Sequence, residues 1–192
     1  MPPGLPDGFS DSDLIGRVLL RDDRNAFAEL VRRHQSSLRA SLRKMTGGNR
    51  ELSDDIAQET FILAWRNIGA FRYEARFSTW LYRIAFNCWQ SEVRRKRELL
   101  IDANALPEPE STPPESDLTG VQRDLRHAME GLTDNERNAI EQCYYNDLSH
   151  EEAAYVLGIP LGTVKTNILR AREKMRAKLA AYQPHAREGV AA

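Results

Sequence analysis

The sequence is poor in features that would indicate a secreted domain or a membrane protein. It has only two cysteines in 192 residues, Cys88 and Cys143, and both lie in apolar stretches. Two such cysteines make neither a disulfide framework nor a metal motif, and they fit a reducing cytosol. We find no signal peptide and no apolar run of about 18 residues. The sequence therefore predicts a soluble, cytoplasmic protein.

Motifs of catalysis and cofactor binding are also missing. No HExxH, Walker loop, G-x-S-x-G or CxxC motif is present. The histidines are scattered and share no metal-ligand spacing: His34, His127, His150 and His185. We therefore expect no enzymatic activity, no metal, no cofactor and no small-molecule substrate. His34 lies between Arg33 and Gln35 on a charged helix face, where we expect it to be solvated.

Strand signals are the third absence, because no segment alternates apolar and polar residues over a useful length. The sequence instead predicts an all-α protein with two small helical domains. The predicted helices span 11–20, 25–46, 53–67, 78–97, 121–130, 134–146, 150–157 and 161–181. The predicted organisation is a flexible N-terminus at 1–11, a domain at 12–98, a linker at 99–120, a domain at 121–182 and a tail at 183–192.

The net charge of −1 hides an uneven distribution along the chain. Residues 1–98 carry 17 Lys/Arg and 13 Asp/Glu, residues 99–120 carry five acids and no base, and residues 121–192 carry ten of each. The middle segment is also rich in proline and serine, so it reads as a flexible acidic linker that buries little apolar surface. A basic N-terminal half is compatible with a nucleic-acid partner.

The segment from Leu148 to Arg176 has the pattern of a helix-turn-helix. Ser149 and Glu152 can form a capping box at the first helix, as Thr133 and Glu136 can at the preceding helix. Gly158 stands where a helix ends in a left-handed residue. An ordinary helical hairpin with a basic face is the alternative interpretation.

The second helix of this motif has two different faces. Its inward face is predicted to hold Val164, Ile168, Ala171 and Met175. The opposite face can present side chains to DNA, where Thr and Arg bond base edges and Leu contacts a thymine methyl. These outward residues are Thr163, Lys165, Thr166, Leu169 and Arg170. Beyond them Arg172, Lys174, Arg176 and Lys178 continue a basic run that can contact phosphates.

The helix that starts near Ser53 carries an acidic stripe. If Ser53 caps this helix, the first-turn acids Asp54 and Asp55 complement the helix dipole. That interpretation leaves unexplained a polar stripe at i, i+3, i+4 and i+7. The stripe consists of Asp55, Gln58, Glu59 and Ile62. Such a stripe can dock on a helix of another protein.

A short loop after this helix interleaves aromatics with arginines. Phe71, Arg72, Tyr73 and Arg76 are difficult to assign to a core from the sequence, and this combination suits unstacked bases and phosphates. On the following helix Trp80, Leu81, Ile84, Ala85 and Cys88 are predicted to be core. The cations 94–97 at its end can either stabilise the helix dipole or contact duplex phosphates.

Two sequence motifs, DDIAQETFILAW at 54–65 and FSTWLYRIAFN at 77–87, resemble the second conserved region of bacterial sigma-70 factors. The helix-turn-helix resembles the fourth region. This pair, joined by a short linker, resembles the extracytoplasmic-function class of sigma factors, which give core RNA polymerase its promoter specificity. One departure is the segment 159–161, which lacks the polar residue that many relatives carry before Gly162.

The resemblance implies roles for individual residues. The face with Asp54, Asp55, Gln58 and Glu59 corresponds to the surface that docks on the clamp helices of the largest polymerase subunit. The −10 element is expected to be read by Phe71, Arg72, Tyr73, Arg76, Ile84 and Asn87. The −35 element is expected to be read by Thr163, Lys165, Thr166, Leu169, Arg170 and Arg172.

The resemblance also implies partners. These are core RNA polymerase, including its β flap, promoter DNA, and an anti-sigma factor that is often membrane-anchored. The main rival interpretation is a stand-alone regulator that binds an operator through the helix-turn-helix. A helical enzyme is a third interpretation, and no residue cluster in the sequence supports it.

Overall fold

The fold is described from a computed structural model, which covers residues 8–102 and 120–182. The chain divides into two compact units, unit 1 at Met1–Ser111 and unit 2 at Thr112–Ala192. The described part of each unit is built from helices, without strands. The predicted fold class of two small all-α domains is therefore confirmed. Most of the predicted linker and the whole predicted tail lie outside the described residues.

Unit 1 contains four α-helices and one short 3-10 turn among its described residues. The helices are α1 (Asp11–Arg21), α2 (Arg24–Met45), α3 (Arg50–Asn67) and α4 (Phe77–Asp102), and the 3-10 turn is Ile68–Ala70. Helix α4 extends to Asp102, so the first residues of the predicted linker are helical. The N-terminal segment was predicted to be flexible up to Asp11, but Phe9 and Asp11 both bond Arg33 of α2.

The start of α3 corrects a prediction. Ser53 is not the N-cap, because the helix begins one turn earlier and the side chain of Asn49 accepts a hydrogen bond from the Leu52 amide at 3.0 Å. Gly47 and Gly48, both at positive φ, separate α2 from α3. Ser53 is fully buried and donates to the Arg50 carbonyl at 2.8 Å. Asp54 and Asp55 therefore lie beyond the first turn, where the helix dipole no longer explains them.

The core of unit 1 lies between the faces of its four helices. It contains fully buried aliphatic side chains from every helix: Leu14, Ile15, Leu30, Leu38, Leu42, Ile56 and Leu81. Phe27 of α2 meets Trp65 of α3 edge to face, with ring centroids 5.0 Å apart. Burial of Trp80, Leu81, Ala85 and Cys88 confirms the predicted core face of α4, while Ile84 is only half-buried.

A buried carboxylate, Glu29, organises a network of hydrogen bonds on α2. Glu29 is 7% exposed and accepts bonds from Arg32 and Arg33 at 2.7–2.8 Å. These hydrogen bonds, with Arg32 contributing most, hold the pKa of Glu29 at about 2. Arg33 also donates a hydrogen bond from Nη1 to the Phe9 carbonyl at 2.8 Å. The network therefore ties the segment before α1 to the middle of α2.

The prediction that His34 is solvated is wrong. Its side chain is only 16% exposed, and its Nε2 lies 2.7 Å from the carboxylate of Asp11. The ring also forms an edge-to-face pair with Phe77, with centroids 5.3 Å apart. A charged sequence neighbourhood concealed this contact, because its partners come from the starts of α1 and α4.

Unit 2 also contains four α-helices among its described residues. They are α5 (Gly120–Glu130), α6 (Asp134–Ile140), α7 (His150–Leu157) and α8 (Leu161–Tyr182). Their core is a small cluster of aliphatic side chains: Leu132, Ala139, Ile140, Ala153, Val164, Ile168 and Ala171. Met129, Leu157 and Met175 pack against this cluster from partly buried positions.

The caps of unit 2 follow the sequence prediction. Capping boxes form at Thr133 with Glu136 and at Ser149 with Glu152. Gly158 ends α7 in the left-handed region at φ 67°. The predicted single helix over 134–146 instead changes to a π-helical turn at Glu141–Tyr145. In that turn the Asn146 amide bonds the Glu141 carbonyl, five residues back, at 3.2 Å.

No helix within residues 8–102 and 120–182 is both long and apolar enough to cross a membrane.

Candidate functional site

The loop between the 3-10 turn and α4 is built around a buried aromatic side chain. Phe71, which is difficult to assign to a core from the sequence, is only 6% exposed. Its ring packs against Phe77, Trp80 and Tyr73, with centroids 4.8–5.8 Å apart. Such aromatic pairs stabilise beyond their buried area. Phe71 therefore supports the loop from below and does not present its own ring to solvent.

Tyr73 is the exposed aromatic of the same loop. Its side chain is 52% exposed, and its backbone is left-handed at φ 58°. A bulky residue is rarely found in this region, which is strained without glycine and persists only where the surroundings fix it. The Phe71 ring, 4.8 Å away, supplies part of that support. The loop thus holds one aromatic ring up to solvent on an aromatic base.

Cations flank this exposed ring. Arg72 and Arg76 are exposed, and no ion-pair or hydrogen-bond partner is seen for either among the residues that the structure describes. On α4, Asn87 is exposed and Ile84 is half-buried. The structure therefore leaves an aromatic face, two cations and an amide open to solvent in unit 1. This combination suits an unstacked base and its phosphates.

The acidic stripe on α3 is exposed as expected. Asp55, Gln58 and Glu59 are exposed, and Ile62 is 43% exposed. Asp54 differs from them, since its Oδ1 lies 3.6 Å from Nε of Arg39 on α2. These two facing atoms are inaccessible to solvent, and they lie just beyond hydrogen-bond distance. Asp54 is therefore partly committed to an ion pair within unit 1, and the other three residues are available to a partner.

Helix α8 separates its two faces as the sequence predicts. Val164, Ile168 and Ala171 are at most 5% exposed, and Met175 packs on the same core. The outward face is exposed and consists of Thr163, Lys165, Thr166, Leu169 and Arg170. The large aliphatic side chain of Leu169 is 58% exposed. Asn167 is buried at 8% exposure between the faces.

Hydrogen bonding divides the polar side chains of α8 into two groups. The Thr166 hydroxyl donates to the Gly162 carbonyl at 2.8 Å, which leaves its oxygen free to accept. Lys174 is 2.7 Å from the nearly buried carboxylate of Glu136, and Lys178 donates to the His127 carbonyl at 3.2 Å. Two members of the predicted basic run therefore hold α8 to the rest of unit 2. For Lys165 and Arg170, no partner is seen among the described residues.

Sequence reasoning missed an open groove in unit 2, with a volume of about 950 Å³. It is lined by side chains of α5, the π-helical turn and the second half of α8, including Met129, Tyr144, Tyr145, Arg172, Met175 and Arg176. Tyr144 and Tyr145 of this groove are 57% and 40% exposed. The sequence did not reveal their position, because its pattern predicts a continuous α-helix over 134–146, and the π-helical turn orients these side chains differently.

Among residues 8–102 and 120–182, no group of three His, Cys, Asp or Glu side chains is placed to hold a metal ion.

Comparisons with known proteins match part of each unit to a conserved region of sigma factors. The profile of Sigma-70 region 2 matches residues 30–98, and that of Sigma-70, region 4 matches residues 122–175. The ECF RNA polymerase sigma factor SigW of Bacillus subtilis (strain 168) is 35% identical over 177 residues, which cover 83% of this chain and 91% of the relative.

Two solved structures are similar over most of the chain. CnrH in complex with the cytosolic domain of CnrY matches at a TM-score of 0.60 and 28% identity, covering 89% of this chain and 97% of that chain. The sigma factor RpoE in complex with the anti-sigma factor NepR from Bartonella quintana matches at a TM-score of 0.60 and 25% identity. That match covers 80% of this chain and 96% of that chain.

Proposed function

Since the chain belongs to the extracytoplasmic-function class of sigma-70 RNA polymerase sigma factors, we propose that its two units divide promoter recognition between them. Unit 1 captures bases of the −10 element and docks on core polymerase, and unit 2 reads the −35 element as duplex. The observation that carries this proposal is Tyr73, an exposed ring on a strained backbone above a buried aromatic base. Strain of this kind concentrates at functional sites.

In the proposed −10 site, Tyr73 stacks on a non-template base that has left the duplex, and Arg72 and Arg76 contact the adjoining phosphates. Asn87 offers donor and acceptor atoms to a base edge, and the half-buried Ile84 supplies an apolar wall. Burial gives Phe71 a supporting part in place of the direct contact first expected.

In the proposed −35 site, the exposed face of α8 enters the major groove. Arg170 and Lys165 reach base edges or phosphates, and Leu169 contacts a thymine methyl. Thr163 and Thr166 offer hydroxyl oxygens to neighbouring bases, and Arg172 continues toward the backbone. Lys174 and Lys178 hold α8 in place, so fewer cations of this helix are available to bind phosphates. Weak phosphate binding suits a protein that binds promoters only with polymerase.

The docking surface for polymerase is the exposed stripe of α3. We assign Asp55, Gln58 and Glu59 to contact with the clamp helices of the largest subunit. Asp54 belongs to the same surface, where its ion pair with Arg39 holds its side chain. The groove of unit 2 is a suitable place for the β flap, because exposed tyrosines and arginines surround an apolar floor.

Regulation by an anti-sigma factor is part of the same proposal. It is supported by the two similar solved structures, CnrH with the cytosolic domain of CnrY and RpoE with the anti-sigma factor NepR. We propose that a membrane-anchored anti-sigma factor holds this protein inactive at the cytoplasmic membrane face. The protein is a transcription initiation factor, and we propose that it has no enzymatic activity of its own. The rival interpretation of a stand-alone operator-binding regulator does not account for the match to Sigma-70 region 2.

Charge reversal tests the docking surface. Asp55→Lys with Glu59→Lys is expected to abolish co-elution with core RNA polymerase, because two acidic contacts become repulsive. Glu51→Lys, an exposed reversal on the same helix, is the matched control and should co-elute normally. Normal co-elution of the double variant would remove this surface from the proposal.

Substitution of Tyr73 tests the base-capture site. The template is a promoter that the wild-type holoenzyme selects from random DNA, and unpaired thymines are detected with permanganate. Tyr73→Ala is expected to leave closed complexes intact and to reduce strand opening, since a base–aromatic stack worth about 1–3 kcal/mol is lost. A Tyr73→Ala holoenzyme that opens the promoter normally would refute base capture by this ring.

A further inference from the structure

We infer that His34 is a positioning residue that holds the loop at residues 71–76 in its base-capturing conformation. The inference rests on the proposed role of this loop and adds a residue from α2, outside both motifs that carry the resemblance in unit 1. It assigns a task to the one histidine of unit 1, a side chain that the promoter-binding surfaces do not use.

His34 lies at a junction of three elements. Its side chain on α2 is 16% exposed, its Nε2 is 2.7 Å from the Asp11 carboxylate at the start of α1, and its ring forms an edge-to-face pair with Phe77 at the start of α4. Asp11 also lies 3.3 Å from Nη1 of Arg33, and Arg33 bonds Glu29 at 2.8 Å. The carboxylate is therefore held from two sides, and it fixes the orientation of the imidazole.

Aromatic contacts lead from His34 to the exposed ring of the loop. Phe77, which meets His34 at 5.3 Å, packs edge to face on Phe71 at 5.8 Å. Phe71 in turn meets Tyr73 at 4.8 Å. Each of these contacts joins ring centroids within the range of favourable aromatic pairs. Two rings, Phe77 and Phe71, thus lie between His34 and Tyr73. His34 supports these two rings, and Tyr73 rests on them.

The backbone of Tyr73 explains why the loop needs this support. A left-handed tyrosine is unfavourable by itself, so the loop keeps this conformation only while the packing beneath it is fixed. If Phe77 loses its neighbour on the α2 side, the aromatic base gains freedom and Tyr73 can relax. The expected loss is in strand opening and not in polymerase binding.

Two variants of His34 separate its hydrogen bond from its ring. His34→Gln can keep the bond to Asp11 and removes the ring from Phe77, and His34→Phe keeps a ring and loses the bond. We expect permanganate-detected opening to fall about two- to tenfold for His34→Gln, the range of one aromatic contact, and less for His34→Phe. A purely structural role through the buried bond predicts the opposite order, which would overturn the inference.

Epistasis with Tyr73 gives a second test on the full-length protein with core polymerase. If His34 acts through the loop, His34→Gln should have little further effect on opening in the Tyr73→Ala background. Additive effects would overturn the inference. His127→Ala, which removes a partly buried histidine of unit 2 that lies 3.3 Å from Glu130, is the control and should open normally.

The outcomes also separate this inference from the proposed function. If Tyr73→Ala opens normally, base capture by the loop fails and the His34 inference fails with it. If Tyr73→Ala is defective and both His34 variants open normally, only the inference about His34 fails. If His34→Gln does not fold, His34→Leu removes the ring from Phe77 while filling the site with an apolar side chain, and normal opening by that variant would overturn the inference.

Discussion

Unit 1 and unit 2 present side chains to DNA by different structural means. In unit 2 the candidate DNA surface is one side of a regular helix, and the side chains that hold the helix lie on its other side. In unit 1 the candidate surface is a loop whose exposed tyrosine depends on buried aromatic rings beneath it. In unit 2, DNA contact and stability therefore depend on different side chains, whereas in unit 1 the candidate DNA contact depends on the packing of the core.

The two states of the proposed DNA targets account for this difference. A base pair in duplex DNA is at a fixed position, and a helix of regular geometry fits the major groove that displays it. An unstacked base has no fixed position, and capturing it requires a pocket that is rigid before the base arrives. Rigid loops need support from a core, so unit 1 uses aromatic side chains where unit 2 uses small aliphatic ones.

The strongest test of this comparison is removal of an aromatic support in unit 1. Phe77→Ala, at a site 4% exposed, is expected to destabilise unit 1 by about 3–5 kcal/mol and to impair strand opening. All three tryptophans of the chain, Trp65, Trp80 and Trp89, lie in unit 1, so urea unfolding followed by tryptophan fluorescence reports on it selectively.

The matched substitution in unit 2 is Ile168→Ala, which is expected to destabilise that unit by about 2–5 kcal/mol without changing the tryptophan transition. Far-UV circular dichroism would record its loss of helix. A tryptophan transition that shifts with Ile168→Ala would show that the two units do not unfold independently.

Arg170→Ala is expected to have the next largest effect. It tests whether the exposed face of α8 contacts DNA independently of the buried face that stabilises the helix. Loss of a base contact should weaken promoter binding by the holoenzyme by about 1–3 kcal/mol and relax selectivity at one −35 position. The melting temperature should stay unchanged, because no partner of Arg170 is seen in the described part of the chain. Wild-type −35 selectivity in this variant would remove Arg170 from base reading.

A smaller effect tests the corrected start of α3. Asn49→Ala should destabilise unit 1 by about 1 kcal/mol, since the first-turn amide of Leu52 loses its acceptor. Asn49→Asp keeps an acceptor at the cap and should restore most of the stability. Equal stability of Asn49→Ala and the wild type, measured by tryptophan fluorescence in urea, would contradict the assigned cap.

The last prediction is a pH dependence of unit 1, which the tryptophan fluorescence of that unit can report. Glu29 has a pKa of about 2 in the folded state against 4.5 for the ordinary side chain. A lowered pKa contributes stability that is present above 4.5 and lost as the pH falls toward 2. Glu29→Gln should flatten this part of the tryptophan-monitored stability profile, whereas the exposed Glu51→Gln should not. A wild-type slope in Glu29→Gln would assign the acid dependence to other groups.

Periodicity allowed the sequence to predict more of unit 2 than of unit 1. The inward residues of α8, the caps at Thr133 and Ser149 and the left-handed Gly158 all follow from local patterns. The exposure of Asp55, Gln58 and Glu59 followed from the same reasoning. These features depend on neighbours within one helical turn or two, which a sequence displays directly.

The features that could not be predicted depend on distant partners. Phe71 is buried because it packs against Phe77 and Trp80, and His34 is only 16% exposed because α1 and α4 begin beside it. The π-helical turn depends on where the Asn146 amide finds its acceptor. The contacts of Tyr73 and Arg170 with DNA, and of Asp55 with polymerase, remain predictions.

The division of α8 into two faces has a consequence for how such proteins diverge. Because Val164, Ile168 and Ala171 hold the helix, single substitutions on the opposite face can alter promoter choice while the fold keeps its stability. Each step along such a path yields a folded protein, so a duplicated copy can acquire new target genes gradually. The aromatic loop of unit 1 offers fewer such steps, and we expect −10 preferences to change more slowly than −35 preferences.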